Sequence, residues 1–335
     1  MGRYFARRLL WLLVVVFFVS LITFSIARAV PGGPFSSEKK LPAAVIAQQE
    51  KFYKLNLPLW QQYLNYMGAI LVPKVTAGPL SGSLQDDHLI NIPLGQNYTF
   101  QWMNFGPSYK DKARTVNDIF RENLPVSFEL GFYAFIVATL IGLPLGVLAA
   151  LKQNTLWDYL AMSMAIFGVS VPSIALGPIF IWLFAVELRW FLPSGWGSWS
   201  QDVLPTIVLG VGSSAVIARL TRASLLQVVR EDYIRTARAK GLREGVIIIR
   251  HALRNSLIPV VTVMGPIFAF LVTGTLVTET IFGVPGMGKY FVISITNRDY
   301  PVIMGTILFF AIIIVLANLI VDLTYAWLDP RIRYN

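Results

Sequence analysis

The sequence predicts an all-α membrane protein with six transmembrane helices, a cytoplasmic helix–hinge–helix loop and an extended extracytoplasmic segment. Three observations carry that class. Hydrophobic residues make up 55% of the 335 and charged residues only 14%, against about 25% charged in a soluble protein. Apolar runs of about 18 or more residues recur along the chain, long enough at 1.5 Å per residue to cross a hydrocarbon core. The basic residues alternate from one inter-span segment to the next.

The spans fall at 9–30, 129–150, 159–186, 204–222, 259–280 and 303–327. The first apolar run exceeds the core of a secretory signal peptide, so it reads as a retained span although Ala27-Arg28-Ala29 offers a small-residue cleavage pattern. The fourth is the shortest, and its helix is expected to continue past the membrane. Pro172, Pro178, Pro205 and Pro266 lie inside spans, as do Gly168, Gly177, Gly210, Gly212 and Gly274. Neighbouring helices can re-satisfy freed backbone groups, and small residues let helices approach closely, so a packed bundle is expected.

Arg3, Arg7 and Arg8 precede the first span. With that end inside, the inner face also collects Lys152, Arg219, Arg222, Arg230, Arg235, Arg238, Lys240, Arg243, Arg250, Arg254, Arg331 and Arg333, while the short outer loops hold only Arg189, Lys289 and Arg298. Both termini are then cytoplasmic, and the net charge of +10 is accounted for by topology without a nucleic-acid partner.

Residues 1–30 are thus a first transmembrane helix, 31–128 an extracytoplasmic segment, 129–327 a five-helix core that includes the loop 223–258, and 328–335 a cytoplasmic tail. Within the outer segment, 41–55 and 57–70 read as short amphipathic helices started by prolines. Residues 76–100 are rich in turn formers and read as irregular, and 115–125 reads as a helix leading into the second span.

The inner loop 223–258 is patterned. Leu226, Val229, Tyr233 and Ala237 recur at helical spacing. Lys240 and Gly241 form a helix stop, a cation in the last turn before a residue that accepts positive φ. Leu242, Val246, Ile249, Leu253 and Leu257 then begin a second period. Lipid binding would favour one continuous amphipathic helix, and a mere retention signal needs no period. A hinge between two short helices fits docking of a cytosolic protein best.

Resemblance makes this specific. ARAKGL (237–242) followed by RHALRNSLIP (250–259) resembles the cytoplasmic EAA motif loop of ABC importer permeases in its peptide-transport variant. ALKQNTLWDY (150–159), GPSYKDKARTVNDIFRENLPVS (106–127), TETIFGVPGMG (278–288), NRDY (297–300), DPRIRY (329–334) and PGGPF (31–35) resemble further landmarks of the oligopeptide and dipeptide branch. Arg235-Thr236-Ala237 stands where the general pattern has Glu-Ala-Ala, Leu253-Arg254 where it has Leu-Pro, and 73–105 is longer than in typical relatives. The chain is identified as similar to the B-type permease subunit of a bacterial peptide ABC importer, with a type I importer permease fold.

The resemblance implies that the helix around Gly241–Ile249 is a coupling helix seated in a separate ATPase, with Ala237, Ala239, Lys240, Gly241, Leu242, Val246, Ile249, His251 and Leu253 as the coupling residues. It implies that this chain sits in the bacterial inner membrane, with a second homologous permease subunit, two cytosolic ATPase subunits that carry ATP and Mg, and an extracytoplasmic substrate-binding protein as partners. The same branch serves nickel and other solutes, so that alternative stands beside peptide.

Gly283 to Tyr290 nearly matches a phosphate-binding loop, but Tyr290 cannot replace the small hydroxyl that meets magnesium, and no strand precedes it. Gly283, Pro285, Gly286 and Gly288 read instead as a tight outer turn dipping back after the fifth span. No cofactor is expected on this chain. There are no cysteines, no His-Glu-x-x-His pair and no intramembrane acid dyad, so the chain reads as a non-catalytic subunit. The remaining rival, an ion-coupled secondary transporter or channel, wants ionisable residues in mid-span, whereas Glu129, Arg219, Glu279 and Asp322 sit near span ends. Ser170, Ser213, Thr273, Asn318 and Asp322 are candidates to line a pathway, with interhelical hydrogen bonding as the alternative. Asp322 could pair with a base or mark an exit.

Overall fold

The structure, a computed structural model, describes residues 2–30, 33–35, 42–77, 83–95 and 97–328. The tail basic residues Arg331 and Arg333, and Pro31-Gly32 of the early landmark, lie outside them. Among the described residues, five helical stretches are long and apolar enough to cross a membrane: Leu10–Ala29, Val116–Leu151, Trp199–Val228, Glu244–Val272 and Tyr300–Thr324. A sixth is obtained if the bent pair Leu156–Gly168 and Ser173–Glu187 is one span. Contacts gather the chain into two compact units, one of residues 1–11, 126–286 and 312–335, the other of 12–125 and 287–311.

The first unit is the helical core. It holds most of α4 (Val116–Leu151), then α5 (Leu156–Ser170), α6 (Ser173–Phe180), α7 (Trp199–Val228), α8 (Asp232–Ala239), α9 (Glu244–Val246), α10 (Arg254–Val272) and α11 (Leu276–Phe282). Helices α4 and α7 touch backbone to backbone. A Cβ on Gly146 would stand 2.5 Å from the Ala218 carbonyl oxygen, and one on Gly142 2.7 Å from that of Ser214. Small residues are what permit such an approach. Leu130, Ala134, Leu176, Leu204, Val208, Leu271 and Phe282 form one buried cluster where α4 and α7 meet α6, α10 and α11.

Two expected spans differ in the structure. The third, 159–186, is broken by a 100° bend. Val171 is extended (φ −92°, ψ 113°) because the following Pro172 bars it from the helical region, and Ser173 restarts the helix. Its second half ends as a π-helix, Ile181–Glu187. The fifth does not run over 259–280. Helical backbone is continuous from Glu244 to Val272 and stops at Thr273-Gly274, where Gly274 takes φ +113°; α11 is a separate short helix. The fourth does overrun its apolar segment, reaching Val228.

The second unit contains most of α1 (Gly2–Ala29), α2 (Ala43–Phe52), α3 (Leu59–Leu71), α12 (Gly288–Asn297) and the start of α13 (Tyr300–Leu328). Helices α2 and α3 begin directly after Pro42 and Pro58, as the sequence indicates. Residues 76–100 are not irregular. They contribute to an antiparallel sheet of β1 (Lys74–Ala77), β2 (Ile90–Leu94) and β3 (Tyr98–Trp102), in the order β1-β3-β2. Phe100 lies opposite Val75 on one side and Ile92 on the other, a β-branched and aromatic pairing that suits a pleated surface. Pro93 sits in β2, an edge strand, where the lost donor is tolerated.

Helix α4 opens with a reciprocal cap. The Thr115 N–H donates to Asp118 Oδ2 at 2.9 Å, and the Asp118 N–H donates to Thr115 Oγ1 at 3.0 Å. Asp87 is drawn in as well, accepting from Thr115 Oγ1 at 2.6 Å and from Arg121 Nη2 at 2.8 Å. An aromatic cluster closes the unit, with Tyr53 and Tyr109 ring centroids 4.5 Å apart, Phe35 against Tyr53 and Tyr300 against Tyr109. Asp299 accepts from the Ser108 hydroxyl and from the Tyr109 N–H. Burial pushes its carboxyl above the usual range, and those hydrogen bonds oppose the shift. Thr115→Ala is expected to lower stability by about 1–2 kcal/mol while Thr115→Ser does not, read as thermal unfolding of the protein in nanodiscs.

Candidate functional site

The insert 223–258 is two arms on an apolar anchor. The first arm, α8, does not continue α7. Val229–Glu231 form a turn between them, so Leu226 and Tyr233 do not share one helix face as the uninterrupted spacing suggests. Restarting the period at Asp232 gives the buried pair Ile234 and Ala237. These pack with Leu225 of α7, Ala150 of α4, and Ile247 and Ala252 of the second arm. Ile234 and Leu225 are 0% exposed and Ile247 is 1%, so the anchor is dry.

The hinge is a Schellman closure. Gly241 holds φ +75°, its N–H donates to Arg238 O at 2.9 Å, and the Leu242 N–H donates to Ala237 O at 3.4 Å. No atom would meet a Cβ on Gly241, so its requirement is conformational, not steric. Two clasps bridge the arms. Arg238 Nη2 donates to Glu244 Oε1 at 2.6 Å and its Nε to Oε2 at 3.2 Å, a hydrogen bond that holds the Arg238 guanidinium above its ordinary value. Asn255 Nδ2 donates to the Tyr233 hydroxyl at 2.8 Å.

In the second arm the buried face is not that of Val246, Ile249 and Leu253. Residues Ile247–Leu253 are π-helical, a wider turn that places Ile247 and Ala252, five apart, on the inside. Leu242, Val246 and Ile249 are consequently exposed, Ile249 at 71%. Ala239 and Lys240 are exposed too, while His251 and Leu253 are half-buried. The result is an outward apolar surface rimmed by Arg235, Arg243 and Arg250, all exposed. A groove of about 570 Å³ lies at its root, lined by Ala223, Leu226, Gln227, Arg230, Glu231 and Asp232.

The root is braced by a paired charge. Asp158, 3% exposed, takes both Nε and Nη2 of Arg222 at 2.7 Å and also accepts from the Asn154 N–H at 2.9 Å. Arg230 reaches Gln153 at 3.3 Å. Sequence reasoning missed these bracing partners, which lie 64 and 77 residues apart.

The Gly/Pro turn is built on a buried carboxylate. Glu279 of α11, 3% exposed, accepts from the Ser127 hydroxyl at 2.7 Å and from the Thr275 N–H at 3.1 Å. Gly283 ends α11 with φ +65°, and the Val284 N–H donates to Glu279 O at 2.8 Å. Phe282 and Val284 belong to the core cluster, so this segment does fold back on the helices. A Cβ on Gly286 would fall 2.4 Å from Glu279 Cδ and 2.5 Å from Ser127 Oγ. Pro285 is exposed, and Gly288 is the first residue of α12.

The candidate pathway residues are not brought to one place by their bonding. Thr273 and Ser213 donate to carbonyls one turn back in their own helices, at 2.9 and 3.3 Å, as does Ser214 at 2.8 Å. These are local back-bonds and not helix-to-helix ones. Ser170 is exposed, and Asn318 is half-buried. Asp322 pairs with Arg8 at 2.7 Å, so it has the basic partner the sequence allowed for.

Residues 142–334 match the family described as binding-protein-dependent transport system inner membrane component, and residues 1–82 match its N-terminal membrane component. The chain belongs to that family. Among similar proteins, the dipeptide transport system permease DppB of Bacillus subtilis is 43% identical across all of this chain and 99% of its own length. The oligopeptide transport system permease OppB of Salmonella typhimurium is 40% identical across the whole of both chains. The solved MetNI methionine ABC transporter in an inward-facing conformation matches with TM-score 0.50 and 20% identity, covering 63% of this chain and 96% of that one, and so shares the fold. The permease is therefore a multi-pass inner-membrane component with the type I importer architecture.

Gly286→Ala in the permease is expected to lower its stability by about 1–3 kcal/mol through overpacking. Pro285→Ala, at an exposed neighbour, should stay within about 0.5 kcal/mol. Denaturant unfolding of the two variants in nanodiscs checks the pair.

Proposed function

We propose that this permease is one half of the translocation pathway of an ATP-driven peptide importer, and that the 223–258 insert is its handle on the motor. The observation that carries the reading is the insert itself: a rigid, dry-anchored hairpin whose outward face exposes Leu242, Val246 and Ile249 inside a basic rim. Peptide as the cargo is supported by relatives named for dipeptide and oligopeptide transport.

In this reading both termini and the insert face the cytoplasm, as the basic residues favour. Two cytosolic ATPase subunits bind ATP and Mg, one of them gripping Val246 and Ile249. A second homologous permease completes the pathway, and an extracytoplasmic binding protein delivers peptide to the outer face. This chain holds no cofactor and performs no bond chemistry. Its work is mechanical. Because Ile234 and Ile247 fix both arms to α4 and α7, and because the second arm runs unbroken into the helix ending at Val272, a push on Ile249 reaches the spans without a flexible joint.

Proline at 241 cannot take positive φ and has no N–H for Arg238. Gly241→Pro is therefore expected to insert normally yet fail to retain the ATPases on purification. Ile249→Glu should leave folding unchanged and weaken ATPase association at least tenfold, the scale of losing a buried hot spot. Retained ATPases and normal uptake in both variants would overturn the placement of the handle.

A further inference from the structure

The second unit contains a cavity of about 640 Å³ that the transport reading does not use. It lies within the range of small-ligand sites, about 300–1,000 Å³. Three of its lining residues bring a buried polar atom with no hydrogen-bond partner among the described residues: Arg28 Nε, Gln62 Oε1 and Tyr66 Oη. Such groups are uncommon, because each forfeits the solvation it had in water. Gln62 is 9% exposed, and its amide nitrogen is already committed to the Leu55 and Leu57 carbonyls at 2.9 and 2.7 Å. Its orientation is therefore fixed with Oε1 left over as an acceptor. Arg28 is held over the Tyr300 ring at 4.7 Å and the Phe24 ring at 5.2 Å, which leaves the Nε–H as a donor.

The unmet set is one acceptor, one charged donor and one hydroxyl able to do either. Hydrogen phosphate would satisfy Arg28 and could offer Gln62 one O–H, but it has no apolar part for the aromatic lining. A peptide supplies both, an amide N–H for Gln62 and a carboxylate for Arg28. The charged lining residues are Arg28, Lys54 and Lys74 against Asp86, a balance that favours an anionic end. The aromatic cluster of Tyr53, Tyr109 and Tyr300 offers sequence-tolerant apolar surface. We propose that this cavity is a peptide subsite on the permease, one that takes the C-terminal end of a short peptide with its carboxylate at Arg28 and a backbone amide between Gln62 and Tyr66. The choice of peptide over another carboxylate rests on the proposed function. Burial pushes the Tyr66 phenol well above its usual value, so it remains a protonated donor.

The test uses the assembled transporter in nanodiscs with no binding protein, titrated calorimetrically with tri-alanine, tri-alanine carboxamide and inorganic phosphate. Saturable tri-alanine binding is expected, about tenfold weaker for the carboxamide through loss of the charge-assisted bond. Tyr66→Phe removes only the unmet hydroxyl, so it folds, and it should weaken tri-alanine about fivefold. Absence of saturable binding, binding indifferent to both amidation and Tyr66→Phe, or phosphate binding as tightly as tri-alanine would each overturn the subsite, the last marking an anion site only. ATP-driven uptake of tri-alanine, measured with the binding protein restored, separates the two claims. Uptake without binding here removes the subsite and leaves the transport reading. Binding here without uptake does the reverse.

Discussion

Ile234 and Ile247 close on Leu225 and Ala150 with almost no exposed surface, and the order of the whole 223–258 insert depends on that contact. Each buried aliphatic side chain contributes about 1.5–3 kcal/mol, enough together to keep two short arms from fraying. Helix α8 has eight residues, far below the length at which a helix is stable alone in water. Its order therefore comes from the anchor, and the exposed surface beyond the hinge is held in place by what lies beneath it.

Charge and close packing extend that rigidity in both directions. The Asp158–Arg222 pair sits where α5 meets α7, and breaking such a pair leaves a buried charge uncompensated. The glycine contacts of α4 on α7 bring two backbones within van der Waals reach. On the other side of the core, Glu279 gathers Ser127, Thr275 and the Gly286 turn around one carboxylate. Both ends of the helical unit are thus tied by polar groups with fixed partners, and the apolar middle packs on Leu204, Leu271 and Phe282.

Long apolar periods made the spans legible in the sequence, and the glycine stop at Gly241 made the hinge legible. What stayed hidden was set by backbone geometry that hydropathy does not encode. Pro172 could be seen, but not that it turns the chain by 100°. The π-helical turn at Ile247–Leu253 shifts the buried face by one residue, so Val246 and Ile249 lie outward while the inward partners are Ile247 and Ala252, which the helical period did not pick out. The sheet at 74–102 escaped notice because its strands have only four or five residues and Pro93 interrupts one of them. The residues proposed to line a pathway were the least legible. A hydroxyl in a helix can bond its own backbone, as Thr273 and Ser213 do, and residue type alone does not separate that from facing a lumen.

In the proposed function, motion enters through the insert from a motor on another chain. Peptide uptake into proteoliposomes measures it most directly, comparing the complete transporter with this permease alone, under ATP and under an imposed ion gradient. Uptake is expected only from the complete transporter and only with ATP. Accumulation of peptide by the lone permease on an ion gradient would contradict it.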